Sequence, residues 1–166
     1  MIILLRTEAI VLSSFIEMIN LNDDEVARFT ESALAELEYD ITDQGEIKKH
    51  LRIFIEGRFE CFTNSYIAAY LSKRLSRDFE ILGSMTELNP CRCCGYKTLR
   101  SRSEYDICRV CFWEDDGTVE GGRYSSVNNM NLNEAKNNFL NIGAVEARFL
   151  QYLEEDRFVQ YDLYNE

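Results

Sequence analysis

Four cysteines in two C-x-x-C pairs constrain this chain more than any other feature of its sequence. Cys91 stands two residues before Cys94, Cys108 stands two residues before Cys111, and thirteen residues separate the pairs. Each C-x-x-C turn presents two thiolates on a tight loop, and a short hairpin between two such turns brings four sulfurs to one tetrahedral Zn²⁺. The spacing therefore predicts a structural zinc site with Cys91, Cys94, Cys108 and Cys111 as ligands.

Two other arrangements of these thiols compete with zinc. Disulfides belong to exported chains, and we expect no export signal, because Arg6 and Glu8 interrupt the apolar start of the chain. A redox-active pair would need one C-x-x-C beside a β-α-β pattern, which the sequence does not show. The ligand set disfavours catalytic zinc, since four thiolates leave no open position for water.

Two further cysteines receive other interpretations. Cys93 lies inside the first pair and could replace a neighbour as ligand, but the two-residue spacer favours Cys91 with Cys94. Cys61 lies beside Phe59 and Phe62 on an apolar face, so we expect it to be a buried small hydrophobe and not a nucleophile.

The segment around the cysteines resembles a known family. Residues 91–99 (CRCCGYKTL), 105–116 (YDICRVCFWEDD) and 131–139 (NLNEAKNNF) are similar to the bacterial cysteine-rich CPCC family. The resemblance covers about residues 90–147 and implies a zinc-ribbon-like knuckle pair with no defined activity. Arg92 and Arg109 stand where the family has proline, so each knuckle loses a φ restraint and gains a charge.

Amphipathic stretches before the cysteines predict a helical region. A first helix is expected over residues 3–19, and Asn22 followed by Glu25 forms a capping box that opens a second. A third helix is expected to open at residues 42–43, and a fourth spans residues 59–75.

The cysteine region itself predicts short strands followed by helix. Residues 96–99 and 105–107 have strand-like composition. Asn131 and Glu134 then form a second capping box, and the helix that they open is expected to end at Gly143.

Charge indicates which partners the chain prefers. It carries 18 basic and 29 acidic residues, for a net charge of −11, which repels phosphate backbones and anionic membranes and favours a basic partner. Residues 17–46 hold ten carboxylates against Arg28 alone. No uncharged run near the start approaches the roughly 20 residues that cross a bilayer, so we expect a cytoplasmic protein.

Catalytic motifs are missing from the sequence, and we expect no enzyme. His50, the one histidine, lies in a polar patch of a predicted helix and is interpreted as a solvated surface group. Glu114, Asp115 and Asp116 lack the alternating spacing of a calcium loop, so we interpret them as a solvated acidic turn.

The expected architecture is α+β. Residues 1–82 form a helical acidic unit, and residues 83–166 form a cysteine-rich CPCC-like zinc-binding unit, a small β unit whose C-terminal helices pack back on it.

The expected function is binding. We interpret the chain as a zinc-stabilised immunity protein that neutralises a basic bacterial toxin, by physical analogy with small acidic inhibitors. The partner-binding residues are expected to be Asp23, Asp24, Glu31 and Glu38. The alternative is a nucleic-acid-binding zinc ribbon, because the knuckle region is locally basic. Its cationic residues would be Arg92, Arg100, Arg102 and Arg109.

Overall fold

The protein is α+β and consists of two compact units. The computed structural model describes residues 1–35 and 42–164. The first unit is Met1–Thr86, and the second begins at Glu87.

The described residues of the first unit form four helices and a two-stranded parallel sheet. In chain order its elements are β1 Ile2–Leu5, α1 Arg6–Asn20, α2 Asp23–Leu34, α3 Gln44–Phe59, α4 Asn64–Leu75 and β2 Phe79–Leu82.

Polar caps set the starts of three helices in this unit. Asn22 and Glu25 form the predicted capping box of α2, each side chain accepting from the other residue's backbone N–H at 2.9 Å. The Asp43 carboxylate caps α3, and the Thr63 hydroxyl caps α4. Each cap satisfies an N–H that has no partner inside its helix, so these boundaries follow from local sequence.

The first expected helix begins later than residue 3. Residues 2–5 are instead the strand β1, which pairs in parallel with β2 from Ile2 opposite Phe79 to Leu5 opposite Leu82. The helix starts at Arg6, and the Glu8 carboxylate accepts from the Leu5 N–H at 2.9 Å. The helical prediction failed for residues 3–5 because pairing with a strand more than 70 positions away supplies backbone hydrogen bonds that local periodicity cannot reveal.

An apolar core joins α1, α3 and α4. Ala9, Ile55, Ile67 and Leu71 are completely buried. The ring of Phe59 stands edge-on to Tyr70 at 5.1 Å between centroids, a favourable aromatic geometry. The fourth helix is shorter than expected, since Phe59 ends α3 and the chain turns before α4 begins at Asn64.

The side chain of Arg6, the first residue of α1, binds the connection between α3 and α4. Its guanidinium donates to the carbonyls of Glu60 and Phe62, both at 2.8 Å, and to the side chain of Asn64. Asn64 in turn donates to the Gly83 carbonyl at 2.9 Å. Burial lowers the pKa of Arg6, but arginine stays charged at neutral pH.

The second unit is built from short strands and short helices. Its elements are β3 Asn89–Pro90, β4 Lys97–Leu99, β5 Tyr124–Ser125, β6 Met130–Asn131, α5 Leu132–Ile142, a 3₁₀ segment Ala147–Tyr152 and α6 Arg157–Gln160. Strands β3 and β4 are antiparallel, as are β5 and β6.

The start of α5 was also predicted correctly. The Asn131 side chain caps α5 by accepting from Glu134 N–H at 2.9 Å, and Gly143 ends it with φ of +75°. By contrast, residues 105–107 contribute only an isolated bridge between Ile107 and Glu114.

The C-terminal segment packs back on the cysteine region, as predicted. Lys97 N–H donates to the Asp162 carbonyl at 2.8 Å, and Tyr164 N–H donates to the Gly95 carbonyl at 3.0 Å. Val145 N–H donates to the Cys111 carbonyl at 2.8 Å. Backbone hydrogen bonds therefore connect both cysteine turns to segments that lie 30 residues or more further along the chain.

Within residues 1–35 and 42–164, no helix is both long enough and apolar enough to cross a membrane.

Candidate metal centre

The two C-x-x-C turns have the same backbone geometry. Gly95 N–H donates to the Cys91 carbonyl at 2.8 Å, and Phe112 N–H donates to the Cys108 carbonyl at 2.9 Å. The donor residues, each directly after the second cysteine of its pair, have φ of +79° and +69°. Each turn therefore folds its two thiols to one side in the same way.

The second turn places a bulky residue in the left-handed region. Glycine adopts a positive φ without cost, whereas Phe112 pays roughly 1–2 kcal/mol for it. Its ring stacks on Phe149 at 4.3 Å between centroids, with a 15° interplanar angle, which offsets that cost. Gly95 signals the first turn in the sequence, but no local signal marks Phe112.

The four sulfurs of the predicted site lie together. All are within 4.8 Å of one another, and Cys91 and Cys111 are 3.7 Å apart while Cys94 and Cys108 are 3.5 Å apart. Four sulfurs placed tetrahedrally at about 2.3 Å from one Zn²⁺ would be about 3.8 Å from each other. The cluster therefore has the dimensions of a single-ion tetrathiolate site and could hold a metal ion.

The cluster is shielded from water. Cys91, Cys94, Cys108 and Cys111 are at most 9% exposed, and Cys108 and Cys111 are fully buried. Trp113 next to the second turn is also fully buried, and its carbonyl accepts from Cys108 N–H at 2.8 Å. A thiolate in such surroundings needs a cation or hydrogen-bond donors to offset its lost hydration.

Cys108 receives such donors directly. The Thr98 hydroxyl donates to its sulfur at 3.1 Å, and Val110 N–H donates to the same sulfur at 3.4 Å. Thr98 lies on β4 and is buried, yet sequence analysis did not select it. Its position four residues after Cys94, on a strand leading away from the turn, was the available signal.

The pKa values of the clustered thiols are shifted in different directions. The hydrogen bond with Cys108 raises the pKa of Cys94, and burial raises that of Cys111. Burial favours the neutral thiol of Cys108 too, but hydrogen bonds from neighbouring thiols and from Thr98 outweigh it and lower the pKa. Without metal, the raised pKa values of Cys94 and Cys111 favour their neutral thiols, whereas the lowered pKa of Cys108 favours its thiolate.

Metal affinity is expected to fall as the pH falls. A divalent ion binds thiolates, so loading the cluster releases the protons held by Cys94 and Cys111. Release of at least these two protons gives a loss of at least about 100-fold in affinity for each pH unit of acidification. Competition of the protein with a chelator for Zn²⁺ at about pH 6.5 and about pH 7.5 measures this slope. Equal affinity at both pH values would contradict thiolate ligation.

Cys93 and Cys61 lie outside the four-sulfur group. Cys93 is buried but is not among the four gathered sulfurs. Cys61 is half-buried, not buried as expected, and its sulfur donates to the Gly57 carbonyl at 3.4 Å. No disulfide joins any of the six cysteines, all of which lie in the described residues.

The acidic turn after the cysteines differs from the expectation of a solvated surface. Asp115 is fully buried, and its carboxylate accepts from Ser103 N–H at 3.0 Å. Its backbone also pairs with Tyr105 and Asp106, so it holds the loop between the two cysteine pairs.

Among the described residues, the four cysteines are the one group of three or more cysteine, histidine or carboxylate side chains close enough to hold a metal.

The predicted partner-binding carboxylates are placed as follows. Asp23 and Asp24 are exposed in the first turn of α2, and Glu31 is exposed near its end. Glu38 lies outside the described residues.

The arginines of the nucleic-acid alternative differ in exposure. Arg100 and Arg109 are exposed, while Arg92 and Arg102 are half-buried.

Part of the second unit is similar to a known protein family. A family model described as Cysteine-rich CPCC matches residues 89–157. The match extends about ten residues beyond the resemblance seen in the sequence and contains all four clustered cysteines. Comparisons with curated proteins and with solved structures returned no match.

Proposed function

We propose that the four clustered cysteines in residues 89–157, the segment that matches the Cysteine-rich CPCC family model, hold one structural Zn²⁺. The observation that carries this proposal is the compact group of four buried sulfurs, with spacings of a tetrahedral single-ion site. Zn²⁺ would supply charge neutralisation and a cross-link between the two turns. A closed shell of four thiolates gives it no position for substrate or water.

Zinc and iron both suit four thiolates, so metal analysis tests the metal's identity. We expect native protein to contain one equivalent of zinc and no absorption from iron–thiolate charge transfer. Iron in place of zinc, or thiols joined in disulfides, would contradict this assignment.

We further propose that the protein is a non-enzymatic cytoplasmic binding protein. The specific form that we favour is an immunity protein whose acidic helix α2 covers a basic surface of a bacterial toxin. The four sulfurs are buried, which supports a structural and not a nucleophilic role. His50, half-buried on α3, is not part of that group.

The surface of α2 supports this proposal. None of its residues is fully buried, and the helix contacts α3 through Phe29, whose ring lies 5.9 Å from that of Phe54. Within the described part of the chain, Asp23, Asp24 and Glu31 make no ion pair. Unpaired exposed carboxylates attract a cationic partner and accelerate its association.

Neutralising α2 is expected to weaken partner binding without unfolding the protein. The variant D23N/D24N/E31Q loses three charges at exposed positions, so we expect stability to fall by less than about 1 kcal/mol. Protection of cells that express a basic toxin domain encoded beside this protein is expected to fall by at least about 100-fold. The variant E38Q is assayed separately.

A matched variant controls for net charge. D78N/E80Q/E87Q removes the same number of carboxylates from exposed positions outside α2 and is expected to protect as well as wild type. If both triple variants protect cells equally well, α2 is not the binding surface, whatever the metal content proves to be.

Nucleic-acid binding is the second candidate. Arg109 and Tyr105 are both exposed near the second cysteine pair, where a cation and an aromatic ring suit phosphate contact and base stacking. Affinity for single-stranded RNA that falls steeply with salt and is lost in R109Q would favour this candidate over the acidic surface.

A further inference from the structure

A pocket lies beside the first cysteine turn, and Cys91, Cys93 and Cys94 form part of its lining. It has a volume of about 520 Å³ and is lined by residues of the second unit alone. Its walls come from the first turn, from the loop that follows β4, from α5 and from the C-terminal segment. Pockets of roughly 300–1,000 Å³ are the usual size for small-molecule sites.

The pocket is cationic in an acidic protein. Arg92, Arg102 and Lys136 line it, and among the described residues no carboxylate does. Buried Nε of Arg92 has no hydrogen-bond partner. A buried donor without a partner is costly, so an acceptor brought by a ligand would be favoured there.

The negative charge of a metal-loaded cysteine site does not fully neutralise the three cations of the pocket. Four thiolates and one divalent ion carry a net charge of −2, whereas Arg92, Arg102 and Lys136 together carry +3. Cys108 also receives hydrogen bonds from the Thr98 hydroxyl and from the Val110 backbone, which stabilise part of the thiolate charge. A positive balance therefore remains at the pocket.

Apolar side chains form the rest of the wall. Phe139 and Leu140 belong to the last turns of α5, and Tyr164 is the residue whose backbone N–H donates to the Gly95 carbonyl. Leu140 is 79% exposed, which is unusual for leucine beside a concave site. A ligand with an aromatic ring would cover this surface while its charged end reached the cations.

We propose that the pocket joining Arg92, Arg102 and Lys136 to Phe139 and Leu140 binds a small organic phosphate that carries an aromatic group. A phosphate monoester is nearly dianionic at neutral pH and offers three acceptor oxygens, which suits three cationic donors better than a single carboxylate does. This inference goes beyond the proposed function, because it requires neither a toxin nor the α2 surface.

Phenyl phosphate is the probe, added to zinc-loaded protein whose backbone amide signals are followed by NMR. We expect saturable shifts at residues 93–95 and 139–140, with a Kd below about 10 mM. Inorganic phosphate, which lacks the ring, is expected to bind about tenfold more weakly, and phenol, which lacks the charge, is expected not to saturate.

Charge variants locate the site. R102Q and K136Q are each expected to weaken phenyl phosphate about tenfold, because each removes a charge-assisted contact. R123Q removes the same charge from an exposed residue of the second unit outside the pocket and is expected to change Kd by less than about twofold. Unchanged zinc content and amide spectra show that each variant is folded.

Three results would overturn the proposal. One is the absence of saturable shifts at the pocket in folded protein. Another is an equal loss of affinity in R123Q and R102Q, which would indicate a general field effect. The third is a single-stranded oligonucleotide that binds the same residues at least about 100-fold more tightly than phenyl phosphate, which would assign the cations to a nucleic-acid surface.

Discussion

Replacing Cys94 by serine is expected to abolish stoichiometric zinc binding and unfold the second unit. A serine hydroxyl does not replace a thiolate ligand, and the remaining three thiols lose the ion that neutralises them in a buried site. Structural zinc in small modules contributes on the order of 10 kcal/mol to folding, more than the total stability of many domains. C111S is expected to behave in the same way, since Cys111 lies in the other turn of the same cluster.

The two remaining cysteines provide matched controls. C61S and C93S each remove one thiol outside the four-sulfur group, so both are expected to retain one zinc equivalent. Zinc content by elemental analysis and amide dispersion by NMR are the measurements. Loss of zinc in C93S together with its retention in C94S would show that the first turn uses a different sulfur from the one proposed.

Replacing Arg157 by methionine is expected to be the next most damaging change. Arg157 is 8% exposed and donates to three carbonyls, those of Val110 at 3.0 Å, Glu154 at 2.8 Å and Gly143 at 3.3 Å. Val110 lies between Cys108 and Cys111, so this one side chain ties the second cysteine turn to the end of α5 and the start of α6. Methionine fills the volume but donates nothing, and we expect a loss of about 3–5 kcal/mol.

The control for this variant is R109M. Arg109 lies beside Val110 in the same turn but is exposed, so its replacement is expected to cost less than about 0.5 kcal/mol. Urea unfolding of the zinc-loaded proteins, followed by Trp113 fluorescence, measures both changes. Equal stability of R157M and R109M would show that the carbonyl contacts of Arg157 do not support the turn.

Local sequence explains the features that were predicted correctly. Helices α2 and α5 begin where Asn22 and Asn131 cap them, because a cap and its partner lie three residues apart. The grouping of four sulfurs likewise follows from two short spacers and the thirteen residues that separate the pairs. Such patterns are readable because the interacting groups are near one another in the chain.

Long-range contacts explain the features that were missed. Residues 3–5 are a strand because β2, far along the chain, supplies their hydrogen-bond partners. Asp115 is buried because the loop carrying Ser103 folds over it, although its acidic neighbours are typical of a solvated turn. Neither contact leaves a periodic trace in the local sequence.

The sequence by itself therefore determined which four cysteines gather, where α2 and α5 begin, and the resemblance of the cysteine segment to the CPCC family, since each depends on spacing within a short segment. Only the tertiary structure decided which backbone carbonyls Arg6 and Arg157 hold, how Phe112 keeps a positive φ, and where Arg92, Arg102 and Lys136 meet around one pocket. Those outcomes depend on which distant segments touch. That is settled by the packing of the whole unit and not by any local pattern.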